Sequence, residues 1–283
     1  MPDATQRTDR ADGDAGAGAA AVQDAADRVA DAARELGDHP VVEAGARAGY
    51  AVNGILHLLI AWLALPLAFG RTGAAADQSG AMAVLAANPA GWVVLVAVVV
   101  SFVLLAVWQV TEAIRQGSPG DRAKAAAKAL MYLVLAWGAV AVLSGARSSG
   151  DRQARDATAA LMTWPFGPVL VALVGLGVAA VGTYHIQKGW TQKFRRDLAS
   201  TPSRFTLHAG RFGYIAKGIA LIAVGGTLVA AGVQQRASES KGLDGALHAL
   251  LGLPLGQAVV AVIAVGFAAF GVYSFSRARR ART

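Results

Sequence analysis

The sequence predicts an all-α membrane protein: six transmembrane helices built as three parallel two-helix repeats with pseudo-threefold symmetry. Three observations carry that expectation. Six uncharged runs are each long enough to cross a bilayer, the basic residues gather on alternate loops, and one proline-based pattern recurs three times.

Charge alone delimits the runs. Twenty-three uncharged residues separate Arg47 from Arg71, and 18 lie both between Lys128 and Arg147 and between Lys217 and Arg236. Pro89 to Thr111, Pro165 to Gln187 and Pro254 to Ser276 give 23 each. At 1.5 Å rise per residue, about 20 residues cross about 30 Å of hydrocarbon. In lipid the backbone must satisfy its own hydrogen bonds, so isolated runs of this length are helices. Only 16% of the 283 residues are charged and the mean hydropathy is +0.45. An average soluble domain carries about a quarter charged residues, so six core helices of a soluble protein are the weaker alternative.

Twenty of the 26 Lys and Arg residues fall in the N-terminal tail, the second and fourth loops and the C-terminal tail. Positive residues stay cytoplasmic, which puts both termini inside. The net charge of +8 is then a topology signal, aided by attraction of the cytoplasmic loops to anionic lipid headgroups, and does not point to nucleic acid. Residues 1–40 form an acidic tail without a cleavable signal pattern. Its first 20 residues are too poor in apolar side chains to order, and Val22, Val29 and Leu36 mark one face of a possible amphipathic helix over 22–36.

The repeats occupy 41–117, 118–197 and 198–283. Odd spans share a start register: Arg47 opens RAGYAVNG, Arg122 opens RAKAAAKA and Arg211 opens RFGYIAKG. Even spans repeat Leu-x-x-x-Pro-x-Gly at Leu85, Leu161 and Leu250. An aromatic follows each proline by 19 residues (Trp108, Tyr184, Tyr273), and a charge by 23 (Glu112, Lys188, Arg277). Two spans per copy give every copy the same orientation, hence an axis along the membrane normal. A proline suits the first turn of each even span, and the aromatics suit the membrane–water boundary. Before each proline, Asp77 to Asn88, Asp156 to Trp164 and Asp244 to Leu253 are expected to be short amphipathic helices on the outer face. The small residues Gly175, Ala179 and Gly182 should face another helix; a pore lining is the alternative.

His39-Pro40, Ala46-Arg47-Ala48-Gly49-Tyr50, Gly54 and the recurrence of Arg-x-Gly-Tyr at Arg211 resemble a family of bacterial membrane proteins, domain of unknown function 1206. The resemblance spans Val41 to Arg280 and implies three copies of a two-span module in a bacterial inner membrane. It brings no assigned activity, so no catalytic residue carries over. The middle copy departs from the pattern, because Ala123 to Ala127 lacks the Gly-Tyr pair.

Polar residues inside spans are costly and mark candidate sites. Six are singled out as a polar vestibule: Asn53, His57, Gln109, Lys128, His185 and Lys217. Asn53, Lys128 and Lys217 share one repeat position, as do Gln109, His185 and Ser274. His57 could relay protons or rest as a neutral ring bonded to a neighbouring helix. The lysines could line an anion path or snorkel to the interface. Phosphate-loop, zinc-protease and nucleophile-elbow patterns are missing from the sequence, and neither a cofactor nor a metal site is expected. The leading expectation is a non-enzymatic scaffold or interaction protein of the bilayer. A small channel or transporter, with its path near the pseudo-threefold axis, is the alternative. Whether the partner is a protein, an ion or a small molecule stays open.

Overall fold

Glycines and prolines set where the helices begin and end. The computed structural model describes residues 40–71, 73–87, 89–115, 118–145, 149–198 and 202–280; the expected tail helix over 22–36 lies outside them. Six long helices are α1 (Pro40–Ala68), α3 (Pro89–Arg115), α4 (Pro119–Leu143), α6 (Gly167–Trp190), α7 (Arg204–Gln234) and α9 (Gly256–Arg280). All six are long and apolar enough to span a membrane. Three short ones are α2 (Gln78–Ala86), α5 (Gly150–Met162) and α8 (Leu243–Leu251).

The Leu-x-x-x-Pro-x-Gly pattern has a steric origin. At each copy the glycine lies against the carbonyl of the leucine six residues earlier, so that a Cβ on Gly91, Gly167 or Gly256 would overlap the carbonyl oxygen of Leu85, Leu161 or Leu250. That contact folds each short helix back onto the span that follows it. The prolines behave less uniformly than expected. Pro89 opens α3, but α6 and α9 start two residues after their prolines, behind the left-handed Phe166 (φ 60°) and Leu255 (φ 62°). The helices α1 and α4 close on left-handed Gly70 and Gly145, where glycine avoids the Cβ penalty.

The short helices meet at one end of the bundle and are tied head to tail. Asp77 accepts from Gly150 N (3.1 Å) in the second repeat. Asp151 accepts from Gly242 N (2.7 Å) and Gly245 N (3.1 Å) in the third. Asp244 accepts from Ala76 N (2.7 Å) in the first, which closes the cycle. Asp156, expected to open the second segment, is exposed instead: α5 begins six residues earlier, and Asp151 takes the bonding role.

Asp77 also caps α2 through Gly80 N (2.8 Å). Burial pushes its carboxyl above the ordinary value and nearby Asp244 and Asp151 push the same way, while the Gly80 and Gly150 N–H groups oppose them. A raised acid contributes its stability below the ordinary carboxylate range and loses it as pH rises through the raised value. Melting followed by circular dichroism in detergent should therefore show lower stability at neutral pH than at mildly acidic pH, and the difference should shrink in Asp77→Asn. Asp77→Ala should lower stability by about 1–2 kcal/mol at either pH through the lost cap.

Around the bundle the spans run α4, α3, α1, α9, α7, α6, each packed on the next. A long, close seam joins α6 to α7. A Cβ on Gly182 would lie 2.6 Å from Gly218 O, one on Gly175 2.7 Å from Val229 N, and one on Gly189 2.8 Å from Arg211 O. The small-residue stripe of α6 is therefore a helix–helix interface. Its counterpart on α9 meets α1 at Gly271 and Gly54, where a Cβ on either would lie about 3 Å from the other's carbonyl oxygen.

Among the described residues no packed interface joins α4 to α6, so the second repeat differs from the others. In the third repeat Gly213 lets α7 lie on the Phe270 backbone (2.6 Å from a Cβ), and in the first Gly49 seats Leu105 of α3 (3.2 Å). The middle copy has Lys124 at that position, exposed and paired with Asp121 at 2.8 Å. A charged side chain there removes the close approach that closes the other two repeats.

Candidate functional site

A cavity of about 710 Å³ lies among the spans, and Asn53, His57, Gln109, Lys128, His185 and Lys217 all line it. Positions equivalent by repeat therefore face one space: Asn53 with Lys128 and Lys217, and His57 with Tyr132 and Leu221. Gln109 and His185 line it as well, whereas their counterpart Ser274 is buried and bonds to Phe270 O at 2.8 Å. At the short-helix end the lining includes Asp77 and Gln153, and at the opposite end Lys188 and Arg277.

His57 sits ten residues past Arg47 and 11 before Ala68, so it lies about 15 Å from either end of the apolar span Arg47–Ala68 within α1. It is buried, and its Nδ1 lies 2.8 Å from Asn53 O. A carbonyl only accepts, so Nδ1 carries the proton and Nε2 presents a lone pair. Lys217 Nζ approaches that nitrogen at 3.4 Å and lies 4.5 Å over the Phe270 ring. The lysine tip is thus held at mid-helix depth by a ring face and a neutral imidazole, and among the described residues no carboxylate pairs with it. His185 repeats the tautomer, with Nδ1 2.8 Å from Val181 O.

Two further cations line the basic end. Lys188 bonds to Asp197 at 2.7 Å, and Arg277 stands 3.8 Å from the same carboxylate and 4.2 Å over Tyr50. With Lys128, four cations face the cavity, and Asp197 is the carboxylate that Lys188 and Arg277 reach. Gln109 Oε1 and Arg277 Nε are buried without a hydrogen-bond partner, at positions a bound polar group could serve. Tyr273 departs from the boundary role expected of it. The turn Lys193–Asp197 brings Phe194 back over the bundle, and Tyr273 is wholly buried against Phe194, Tyr214 and Phe270.

In the sequence Lys188 and Arg277 mark the end of a span and stand outside the candidate vestibule. Their common offset from the prolines was the signal that could have placed them beside Gln109 and His185, one turn away. Asp77 reads in the sequence only as the start of a short helix.

Fold and cavity define a six-span membrane protein with a polar interior. The chain belongs to the family described as Domain of Unknown Function (DUF1206), which matches it three times, over residues 48–116, 123–192 and 212–281. It is similar to Uncharacterized protein YxxB of Bacillus subtilis (strain 168), at 26% identity over 251 residues that cover 84% of this chain and 90% of that one. No solved structure matches it.

Proposed function

We propose that this chain is a non-enzymatic, multi-pass protein of the bacterial plasma membrane, with cytoplasmic termini, that offers an anionic solute a polar path through its bundle. The observation carrying this reading is the convergence of all six candidate residues on one cavity, with lining from the short-helix end to the basic end. A scaffold has no use for Lys217 at mid-helix depth, since an intramembrane cation without a carboxylate is expensive. An anion in the cavity supplies the missing charge. Equivalent repeat positions facing one space support a path along a central axis, and the basic loops on the cytoplasmic side meet anionic headgroups.

The test is movement across reconstituted vesicles. Purified protein in liposomes is assayed for release of entrapped chloride and for passage of a fluorescent phosphatidylglycerol between leaflets. At least one probe should move faster than in protein-free vesicles, and His57→Leu should slow it, because the imidazole holds Lys217 in place. If neither probe moves faster, the chain is a scaffold and the path reading is wrong.

A further inference from the structure

We infer that the cavity is a side-entry site for an anionic lipid, which reaches it from the bilayer between α4 and α6 and seats its acidic head against Lys217 and Arg277. The inference rests on the path reading and names its substrate class.

The opening is visible in which lining residues are covered. On α1 and α9, Ile60, Phe267 and Phe270 are buried, at 5%, 3% and 5% exposed. Across the cavity Met131 and Val134 of α4 and Tyr184 of α6 line the same space but are 47%, 55% and 53% exposed. The cavity therefore opens where α4 and α6 fail to pack. That gap follows from Lys124 standing where the other repeats have glycine.

The chemistry along the gap is graded. At the basic end it lies between Lys128 on α4 and Lys188 on α6, and beyond them Lys217 and Arg277 face inward. Asp197 answers Lys188 and Arg277 but not Lys217. Between that end and the polar Asp77 and Gln153 at the short helices, the lining is an apolar stretch of Met82, Phe102, Leu135, Leu221 and Val224. A small inorganic anion would use only the basic half. An acidic head joined to an acyl body matches both halves, and a lateral opening gives it access without leaving the membrane. Basic pockets between spans on the cytoplasmic side are a known setting for acidic lipid heads, and about 710 Å³ is within the range of ligand-sized sites.

The test uses the full chain, purified in mild detergent and exchanged with equimolar dioleoylphosphatidylglycerol and dioleoylphosphatidylcholine, with bound lipid counted by native mass spectrometry. One phosphatidylglycerol per chain should be retained in preference to phosphatidylcholine. Lys217→Met and Arg277→Gln should each weaken retention about fivefold, as about 1 kcal/mol per cation implies. Gly138→Trp provides a steric arm: Gly138 lines the cavity, and a Cβ there meets no atom within 4 Å, so the side chain starts out unobstructed and its indole should occupy the cleft and expel the lipid. Lys193→Met, on the exposed turn outside the cavity, should change nothing.

Equal retention of both lipids, equal loss in Lys193→Met, or displacement of the lipid by sodium phosphate alone would overturn the inference. Retention without movement in the vesicle assay would leave the lipid site standing and remove the path. Chloride movement without retention would do the reverse.

Discussion

Lys217→Met should make the protein more stable and stop it working. The substitution keeps an unbranched stem against Phe270, which the lysine now covers at 4.5 Å, and removes a charge with no carboxylate among the described residues. Leaving a cation unpaired inside the membrane is unfavourable, so the variant should gain about 1 kcal/mol or more in detergent melting. Movement of the anionic probe should fall at least about tenfold, the loss expected when one charge-assisted contact worth about 1.4 kcal/mol disappears from the path. The opposite signs matter. A residue that merely supported the fold would lose stability and movement together, whereas a functional charge held at a cost separates them. If Lys217→Met moves the probe as fast as the native chain, the cation has no part in the path.

Gly182→Leu should prevent assembly of the bundle. On α6, Gly175, Gly182 and Gly189 abut the backbone of α7, and Gly218 and Gly225 return the contact; a Cβ on Gly218 would lie 2.5 Å from Gly182 O. In lipid, helix association depends on such close fit, because the surrounding tails are as apolar as the side chains. A leucine must push the two spans apart along their whole seam, and overpacking of even ordinary cores costs about 1–3 kcal/mol. The expected outcome is a loss of at least about 3 kcal/mol, read as aggregation on size-exclusion chromatography or the absence of a melting transition. Gly177 is five residues from Gly182 on the same helix, with no atom within 4 Å of a Cβ. Gly177→Leu should leave the elution and melting unchanged. Equal damage from both substitutions would show that the seam is not where the stability resides.

The span count and the short helices could be read from the residues because each has a local cause. Uncharged length sets a span, and an Asp before Ala and Leu at helical spacing sets a short helix. The repeat puts Asn53, Lys128 and Lys217 in one register, but whether such residues face one space depends on how the copies pack, which the sequence leaves open. What the repeat concealed was where the copies differ. Lys124 in place of Gly49 and Gly213 was visible in the sequence, but only the packing of Gly213 on Phe270 shows that this position closes a repeat. Asp156 and not Asp151 stands out locally, because Asp151 bonds to Gly242 and Gly245, 91 and 94 residues away, where no local pattern reaches. Tyr273 was misplaced for a similar reason: the turn that covers it comes from a loop 79 residues earlier.

The sequence has no cysteine, so single cysteines can be introduced without background. His57→Cys and Gln109→Cys place a thiol in the cavity, and Trp62→Cys and Val103→Cys place one on the exposed outer faces of the same helices, α1 and α3. In vesicles, a water-soluble anionic thiosulfonate should label the first pair rapidly and the second slowly, and should outpace a cationic reagent of the same size because the lining is basic. Labelling of His57→Cys and Gln109→Cys no faster than Trp62→Cys and Val103→Cys would mean that the cavity is dry and the path does not exist.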